Sequence, residues 1–330
     1  MGRAINDGKP RRIEIVGAIQ KGEILMKSRT LLLFGMLCVF WGIPYFFIKL
    51  ALVDVSPFCV AWSRITLGAL ILIPVAWHRG ALRSTLRHPR AILAFAITEL
   101  VVPFSLIAIA ERSLSSSVTG VLVATVPLTV VIIAPLFGVR ETLSPRRLLG
   151  LIVGLAGVVV LLGFDTIAGP EQWLAVAALL IAVVGYAAGP LVVQRHLAGV
   201  DEIAAVAVSL SVASAILLPF AAATLPHHLP SALSLSSIAI LGLISTASAM
   251  LLYFYVIHAA GAARASVVAY VSPAIAALLG VLVLHEHFGV SMAAGLALIL
   301  LGSALGSSGA RRSDSQVIGE SRSTAPVARQ

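Results

Sequence analysis

Long apolar stretches alternate with short polar connections along nearly the whole chain. Runs such as residues 30–48, 91–110 and 148–163 approach or reach the ~20 residues that an α-helix needs to cross a ~30 Å hydrocarbon core. The pattern predicts ten spans, at residues 30–52, 56–77, 91–110, 115–137, 147–164, 172–194, 202–222, 236–257, 262–284 and 289–308. We therefore expect an all-α integral membrane protein with ten transmembrane helices. A β-barrel is excluded because its lipid-facing strands would alternate apolar and polar residues.

The second half of the chain repeats features of the first half. An offset of 145 residues pairs Trp41 with Tyr186, and an offset of 146 pairs Pro127 with Pro273. Because each half has five helices, an odd number, the second half enters the membrane from the opposite side, which gives two inverted five-helix repeats. Such symmetry is typical of transporters, in which two inverted halves exchange conformations. The chain then divides into a tail at 1–29, a first repeat at 30–164, a second repeat at 172–308 and a tail at 309–330.

Composition agrees with a membrane protein, and charge predicts its orientation. The chain is 59% hydrophobic and 11% charged, which leaves too little polar surface to coat a soluble globule of 330 residues. If the N-terminus is cytoplasmic, 20 of the 23 Lys and Arg residues lie on the cytoplasmic side, as expected for a multi-pass cell-membrane protein with both termini inside. The basic pI of about 10.3 then reflects topology and attraction to membrane lipids, and nucleic-acid binding is not predicted. Both tails are predicted to be disordered, and Met26 is an alternative start to Met1.

Two prolines lie near the middle of the fourth and ninth spans. Pro127 and Pro273 each remove a backbone hydrogen bond about eleven or twelve residues into the helix. Paired broken helices that face a central cavity are one interpretation. A packing kink in which Thr125 or Ser272 returns the hydrogen bond is the other.

Several stretches carry a family resemblance. FWGIPYFFIKLAL, SPFCVAWSRITLGALILIP and VATVPLTVVIIAPLFGVRE, with LHEHFGVSMAAGLALILLGSALG in the second half, resemble the drug/metabolite transporter superfamily in its EamA-type ten-helix form. The resemblance covers residues 30–308. It implies a permease that exports or exchanges small metabolites such as amino acids, without ATP, through a central cavity between the repeats. The residues at motif positions are Trp41, Arg64, Pro127, Glu141, Pro273 and Glu286.

Arg64 and Glu99 are the two charges predicted to lie deep in the membrane. Their estimated depths differ by ~6 Å, so we expect them to face the interior and to interact directly or through water. An offset of 145 reaches Ser209 and Ile244, so the pair breaks the repeat symmetry, which favours a functional role. Arg64 would attract an anionic or carboxylate-bearing substrate, and Glu99 would tune it or carry a proton. A structural ion pair, or a snorkelling Arg64 beside a protonated Glu99, is the alternative.

The candidate residues for a substrate cavity are Arg64, Glu99, Trp41, Tyr186, Pro127 and Pro273. Glu99 departs from the family resemblance, which implies an apolar or small residue at that position. The fifth and tenth spans offer small-residue faces for tight helix packing, at Gly150, Gly154, Gly302 and Gly306. This glycine seam can lie within one protomer or join two protomers as a homodimer.

Motifs for other chemistry are missing from the sequence. There is no GxxxxGK[ST] and no GxSxG, and His285-Glu286-His287 lacks the second histidine of HExxH at Gly289. We therefore predict no metal, no cofactor and no enzymatic activity. Glu141 and Glu286 are expected to cap or pair at helix boundaries. The prediction is a secondary transporter, and the alternative is a membrane-embedded lipid flippase or lipid-processing protein.

Overall fold

The computed structural model describes residues 29–138, 144–163, 169–260, 268–287 and 289–307, and this part of the chain is helical without strands. Eight helices in it are long and apolar enough to cross a membrane, and two shorter apolar helices follow. They are α1 Arg29–Ala51, α2 Pro57–His78, α3 Pro89–Ala110, α4 Ser116–Phe137, α5 Pro145–Leu162, α6 Pro170–His196, α7 Glu202–Ala223, α8 Ala232–Ala259, α9 Val268–Val283 and α10 Val290–Ser307. The predicted tails, Glu141 and the predicted start of the ninth span lie outside the described residues.

Helix starts follow from local sequence. Several helices carry proline in the first turn, where the missing N–H has no intrahelical role; these prolines are Pro57, Pro89, Pro145 and Pro170. Other starts have a side-chain oxygen that accepts a backbone N–H of the first turn. Those N-cap residues are Ser56, Ser115, Asp201 and Ser231.

Helices α2 and α7 show the inverted symmetry directly. They pack side by side, and the N-cap of each is bonded to the C-cap of the other. Ser56 Oγ lies 2.8 Å from Thr224 Oγ1, and Arg79 Nη2 lies 2.8 Å from Asp201 Oδ2. The two pairs are related by the repeat, because Asp201 follows Ser56 by 145 residues and Thr224 follows Arg79 by 145 residues. A two-fold axis between antiparallel helices produces this exchange, and the chain therefore has the predicted fold of two inverted repeats.

A π-helical segment interrupts α3 and another interrupts α8. They span Ala96–Val101 and Leu243–Ser248, so they are offset by 147 residues. The segment in α3 packs against α7, and the segment in α8 packs against α2, so each repeat presents its wide turn to the other repeat. Short π-helical segments inside α-helices frequently mark functional sites. The hydrophobic pattern did not predict them.

The two mid-helix prolines behave differently. In α4 the helix stops at Val123 and resumes at Val126, with Pro127 in its new first turn. Thr125 Oγ1 donates to Leu122 O at 2.6 Å. The predicted break at Pro127 is thus confirmed. The hydroxyl bonds Leu122 O and not Val123 O, the carbonyl four residues before Pro127, so the returned hydrogen bond of the kink interpretation is not the one observed.

The second half does not repeat this break. Helix α9 runs unbroken through Pro273 over its described length, so the expectation of paired breaks is wrong there. The helix is closely packed at this point, since Ser272 O and Ile275 lie against Gly42 of α1 with no room for a Cβ.

Helices α5 and α10 form the most extensive helix pair of the described chain. A Cβ on Gly302 would lie 2.6 Å from both Gly150 O and Gly154 Cα. The predicted tight packing is confirmed, and the seam lies within one chain and joins the two repeats. A homodimer remains a prediction, but this face is not available to form it. The surroundings of Gly306 lie outside the described residues.

Candidate functional site

Arg64 is held in the interior at the junction of three helices. Its side chain lies on α2 and the residue is 6% exposed. Its Nε and Nη2 donate to Thr246 Oγ1 of the α8 π-helical segment at 3.4 and 3.3 Å. Its Cζ lies 4.0 Å from the ring centroid of Phe104 on α3, a distance typical of cation–π stacking.

Arg64 and Glu99 form no direct ion pair in the described part of the chain, and an interaction through water stays a prediction. No described carboxylate forms an ion pair with Arg64. The π-helical turn of α3 directs Glu99 toward α6, where its Oε2 fills the space that a Cβ on Gly189 would need. This oxygen is buried and has no hydrogen-bond partner among the described residues. The two deep charges therefore face different helices.

Tyr186 lies near both charges. Its ring on α6 meets that of Phe104 edge-on, with centroids 6.4 Å apart. Its hydroxyl is within electrostatic range of Arg64, Glu99 and the hydroxyl of Tyr45. The interior site thus combines an arginine, a glutamate and the aromatic rings of Phe104 and Tyr186 near them.

Of the remaining predicted cavity residues, Trp41 lies near this centre. Trp41 packs on Tyr253 with ring centroids 4.8 Å apart, and Tyr253 is within electrostatic range of Glu99. The structure therefore connects Trp41 to the site through one aromatic ring. Pro127 lies in the first turn after the break in α4, and Pro273 is buried within α9.

Sequence reasoning missed three side chains of the site. These are Tyr45, Phe104 and Thr246. The place of Thr246 becomes clear only from the structure. At the offset of 147 set by the π-helical segments, Thr246 and not Ile244 is the counterpart of Glu99. The residue that binds Arg64 thus occupies, in the second repeat, the place of the glutamate in the first.

A second polar cluster lies at one end of the bundle, the end predicted to be external. Glu286 accepts from Ser116 N and Oγ at 2.7 and 2.9 Å, and from Ser117 N and Oγ at 2.9 and 2.5 Å. It therefore caps the N-terminus of α4, and the predicted capping role is confirmed for Glu286. We call these contacts the Glu286 clasp.

Beside the clasp lies Glu111, which the sequence reading also missed. Glu111 is fully buried, and neither carboxyl oxygen has a hydrogen-bond partner among the described residues. The ammonium of Lys49 donates instead to the backbone carbonyls of Glu111 and Leu114, at 2.6 and 2.8 Å. Glu111 escaped notice because it directly follows the last residue of the predicted third span.

Comparison with known proteins agrees with this architecture. A model of the EamA-like transporter family matches residues 28–163 and 173–308. "Uncharacterized inner membrane transporter YedA" of Escherichia coli K12 is 30% identical over 268 residues, covering 77% of this chain and 84% of that protein. "Uncharacterized transporter YvbV" of Bacillus subtilis is 27% identical over 284 residues, covering 84% and 90%. A solved crystal structure superposes with a TM-score of 0.61 at 24% identity, over 86% of this chain and 98% of that one, which shows likeness of fold.

Proposed function

We propose that this chain, which belongs to the EamA-like transporter family, is a secondary transporter that exports or exchanges small metabolites such as amino acids. It is a multi-pass membrane protein, and the names of its relatives indicate a transporter and not an enzyme. On this proposal the two inverted repeats alternate access to a substrate site between them. Arg64, Glu99 and the aromatic rings near them form that site.

The proposal rests mainly on the hydrogen bonds of the buried Arg64 side chain. A guanidinium has five N–H donors in a planar fork, and its described hydrogen bonds go to one hydroxyl, Thr246 Oγ1. A buried charge without a carboxylate partner is expensive in a membrane interior. The remaining donors suit a carboxylate or another anionic group, which an arginine binds bidentately. A carboxylate-bearing substrate would supply the missing charge.

Glu99 supports a substrate with a second, cationic group. Its buried Oε2 has no described hydrogen-bond partner, and Tyr186 lies within electrostatic range of both charges. An amino acid presents a carboxylate for Arg64 and an ammonium for Glu99. The same carboxyl can instead carry a proton when the ammonium is absent, so Glu99 both tunes the site and balances its charge.

Metabolite profiling inside and outside cells tests the proposal. Cells that express the wild type are compared with cells that express Arg64→Gln or Glu99→Gln and with cells that lack the protein. Arg79→Gln and Glu202→Gln are matched controls, since both residues lie at a helix end and are substantially exposed. We expect a small carboxylate-bearing metabolite to change its distribution with the wild type and both controls, and to do so much less with the site variants.

Two outcomes would contradict parts of this proposal. If the site variants redistribute the metabolite as the controls do, Arg64 and Glu99 are not the site. If no metabolite responds while purified protein in vesicles moves fluorescent phospholipid between leaflets, the protein is a lipid flippase. Comparison of the two compartments gives the direction of transport.

We further propose that both termini are cytoplasmic, from the bias of basic residues. Val53 is 73% exposed between α1 and α2, and Arg87 is exposed between α2 and α3. In a background without Cys38 and Cys59, Val53→Cys should react with a membrane-impermeant thiol reagent in intact cells. Arg87→Cys should react only after permeabilisation, and the opposite pattern would invert the topology.

A further inference from the structure

We propose that the carboxyl of Glu111 is a proton-binding site, and that proton binding there is linked to closure of the predicted outer end by the Glu286 clasp. The inference deepens the proposed alternating access and rests on it. It supplies a coupling ion, the proton, at a place separate from the Arg64–Glu99 site.

The surroundings of Glu111 favour a neutral carboxyl. The residue is 0% exposed and both of its oxygens lack a hydrogen-bond donor among the described residues. It is the C-cap of α3, where the helix dipole presents negative potential. An ionised carboxylate without donors costs several kcal/mol when it is removed from water. A bound proton removes that cost.

Some charged neighbours of Glu111 favour its ionised form, and another favours its protonated form. Lys49 and Arg64 lie within electrostatic range and favour an ionised Glu111, whereas Glu286 opposes it. The hydroxyl of Tyr45 also faces Glu111. The ammonium of Lys49 donates to two backbone carbonyls and makes no described hydrogen bond to the carboxyl. Glu286 accepts four hydrogen bonds, which suit a carboxylate and not a carboxylic acid. Of the two acids, Glu111 is therefore the one whose carboxyl gains more from a bound proton.

The clasp connects this protonation to a movement. Glu286 follows α9 in the second repeat, and the serines that it binds begin α4 in the first repeat. Gly280 of α9 leaves no space between them, since a Cβ there would meet Ser117 Oγ and Glu286 Oε2. Separation of the repeats at this end must break the clasp. Water then reaches Glu111, and the hydrated carboxyl releases its proton to the external solution.

Linkage gives the direction of the pH effect. If the closed state binds one more proton than the open state, lower pH favours closure. The ratio of closed to open molecules then changes by up to about tenfold per pH unit for one proton. This expectation needs no substrate, because the proton is the ligand.

Distance measurement between two spin labels tests the inference on the full chain. Arg112→Cys and His287→Cys place labels on exposed residues next to Glu111 and Glu286, in a background with Cys38→Ala and Cys59→Ala, reconstituted in lipid nanodiscs. In this parent, the long-distance population should grow as pH rises. Glu111→Gln imitates the protonated carboxyl and should stay at the short distance at every pH. Glu202→Gln, an exposed acid at the opposite end, should titrate like the parent.

A second variant and a second measurement keep the inference falsifiable if Glu111→Gln accumulates poorly. Glu286→Gln weakens the clasp and should raise the long-distance population even at low pH. The infrared band of a protonated carboxyl in the wild type should lose intensity in Glu111→Gln, beyond any loss in Glu99→Gln. A parent whose distances ignore pH, or a Glu111→Gln variant that titrates as before, overturns the inference. Neither measurement depends on metabolite transport, so the two proposals can fail separately.

Discussion

Alanine in place of glycine should have opposite effects on stability at two positions of this protein. A Cβ on Gly35 of α1 meets nothing within 4 Å, whereas a Cβ on Gly302 of α10 meets backbone atoms of α5 at 2.6 Å. Alanine is favoured over glycine inside a helix by about 0.8–1 kcal/mol, and this gain applies at both sites. Overpacking costs about 1–3 kcal/mol when neighbours can adjust. At Gly302 the neighbours are backbone, so the helices themselves must move apart.

Gly154 provides an intermediate case. A Cβ there would collide with the end of the Leu128 side chain, which can rotate, while the backbone of α10 remains in place. The expected order of stability is therefore Gly35→Ala at or slightly above the wild type, then Gly154→Ala, then Gly302→Ala lowest. Thermal denaturation in one detergent, followed by the loss of monodisperse protein, gives this order. Equal melting of Gly35→Ala and Gly302→Ala would refute the backbone-contact reasoning, because the two variants add the same methyl group.

Three further outcomes are expected. Asp201→Ala should lower the free energy of unfolding by about 0.5–2 kcal/mol, because Asp201 Oδ1 accepts a hydrogen bond from Ala204 N at 2.9 Å and so caps α7. Arg79→Ala should lower it by about 0–1 kcal/mol, because its ion-paired side chain is 52% exposed. Chemical denaturation compares the two variants. Thr246→Val should cost about 1.5–3 kcal/mol by the same measurement, since it removes a hydrogen-bond acceptor of a buried charge. Hydrogen bonds from Ser231 and Ser234 lower the pKa of Asp54. The contribution of Asp54 to stability is therefore present above its unfolded pKa and is lost as pH falls through its folded pKa. The difference in melting temperature between wild type and Asp54→Asn should vanish in acid, and a difference that does not change with pH would contradict this.

The sequence predicted the helices well because membrane helices follow from local hydrophobicity. The span predicted at 202–222 is found at Glu202–Ala223, and the span predicted at 56–77 is found at Pro57–His78. The spacing of glycines is also a local feature of the sequence, and it predicted the α5–α10 seam. The π-helical segments were not predictable from hydrophobicity, since a wider turn changes the direction of side chains without changing the apolar pattern.

The site was predicted less well because depth alone does not determine direction. Arg64 and Glu99 do lie in the interior, but estimates of depth could not show that Glu99 turns toward Gly189 while Arg64 turns toward Thr246. Glu111 lies one residue beyond the end of α3, where an acid usually meets water. Glu111 is nevertheless fully buried, and the opposite repeat brings Glu286 against the start of α4 beside it. Tertiary contacts of this kind leave no local mark in a sequence.

The change of offset between the repeats explains how an inverted pair carries an asymmetric site. The caps of α2 and α7 are related by 145 residues, but the π-helical segments are related by 147. The stretch from the C-cap of α7 to the π-helical segment of α8 is therefore two residues longer than the stretch from the C-cap of α2 to the segment of α3. With this shift Glu99 corresponds to Thr246, and Arg64 corresponds to Ser209. Both charges therefore belong to the first repeat, and the second repeat supplies hydroxyls in their places. On the proposed mechanism, rocking of the repeats would exchange the hydroxyl that faces Arg64 but would leave Arg64 and Glu99 together on the first repeat. A zwitterionic substrate would then keep its charge partners in both states, and the change of access would come from the second repeat moving past them.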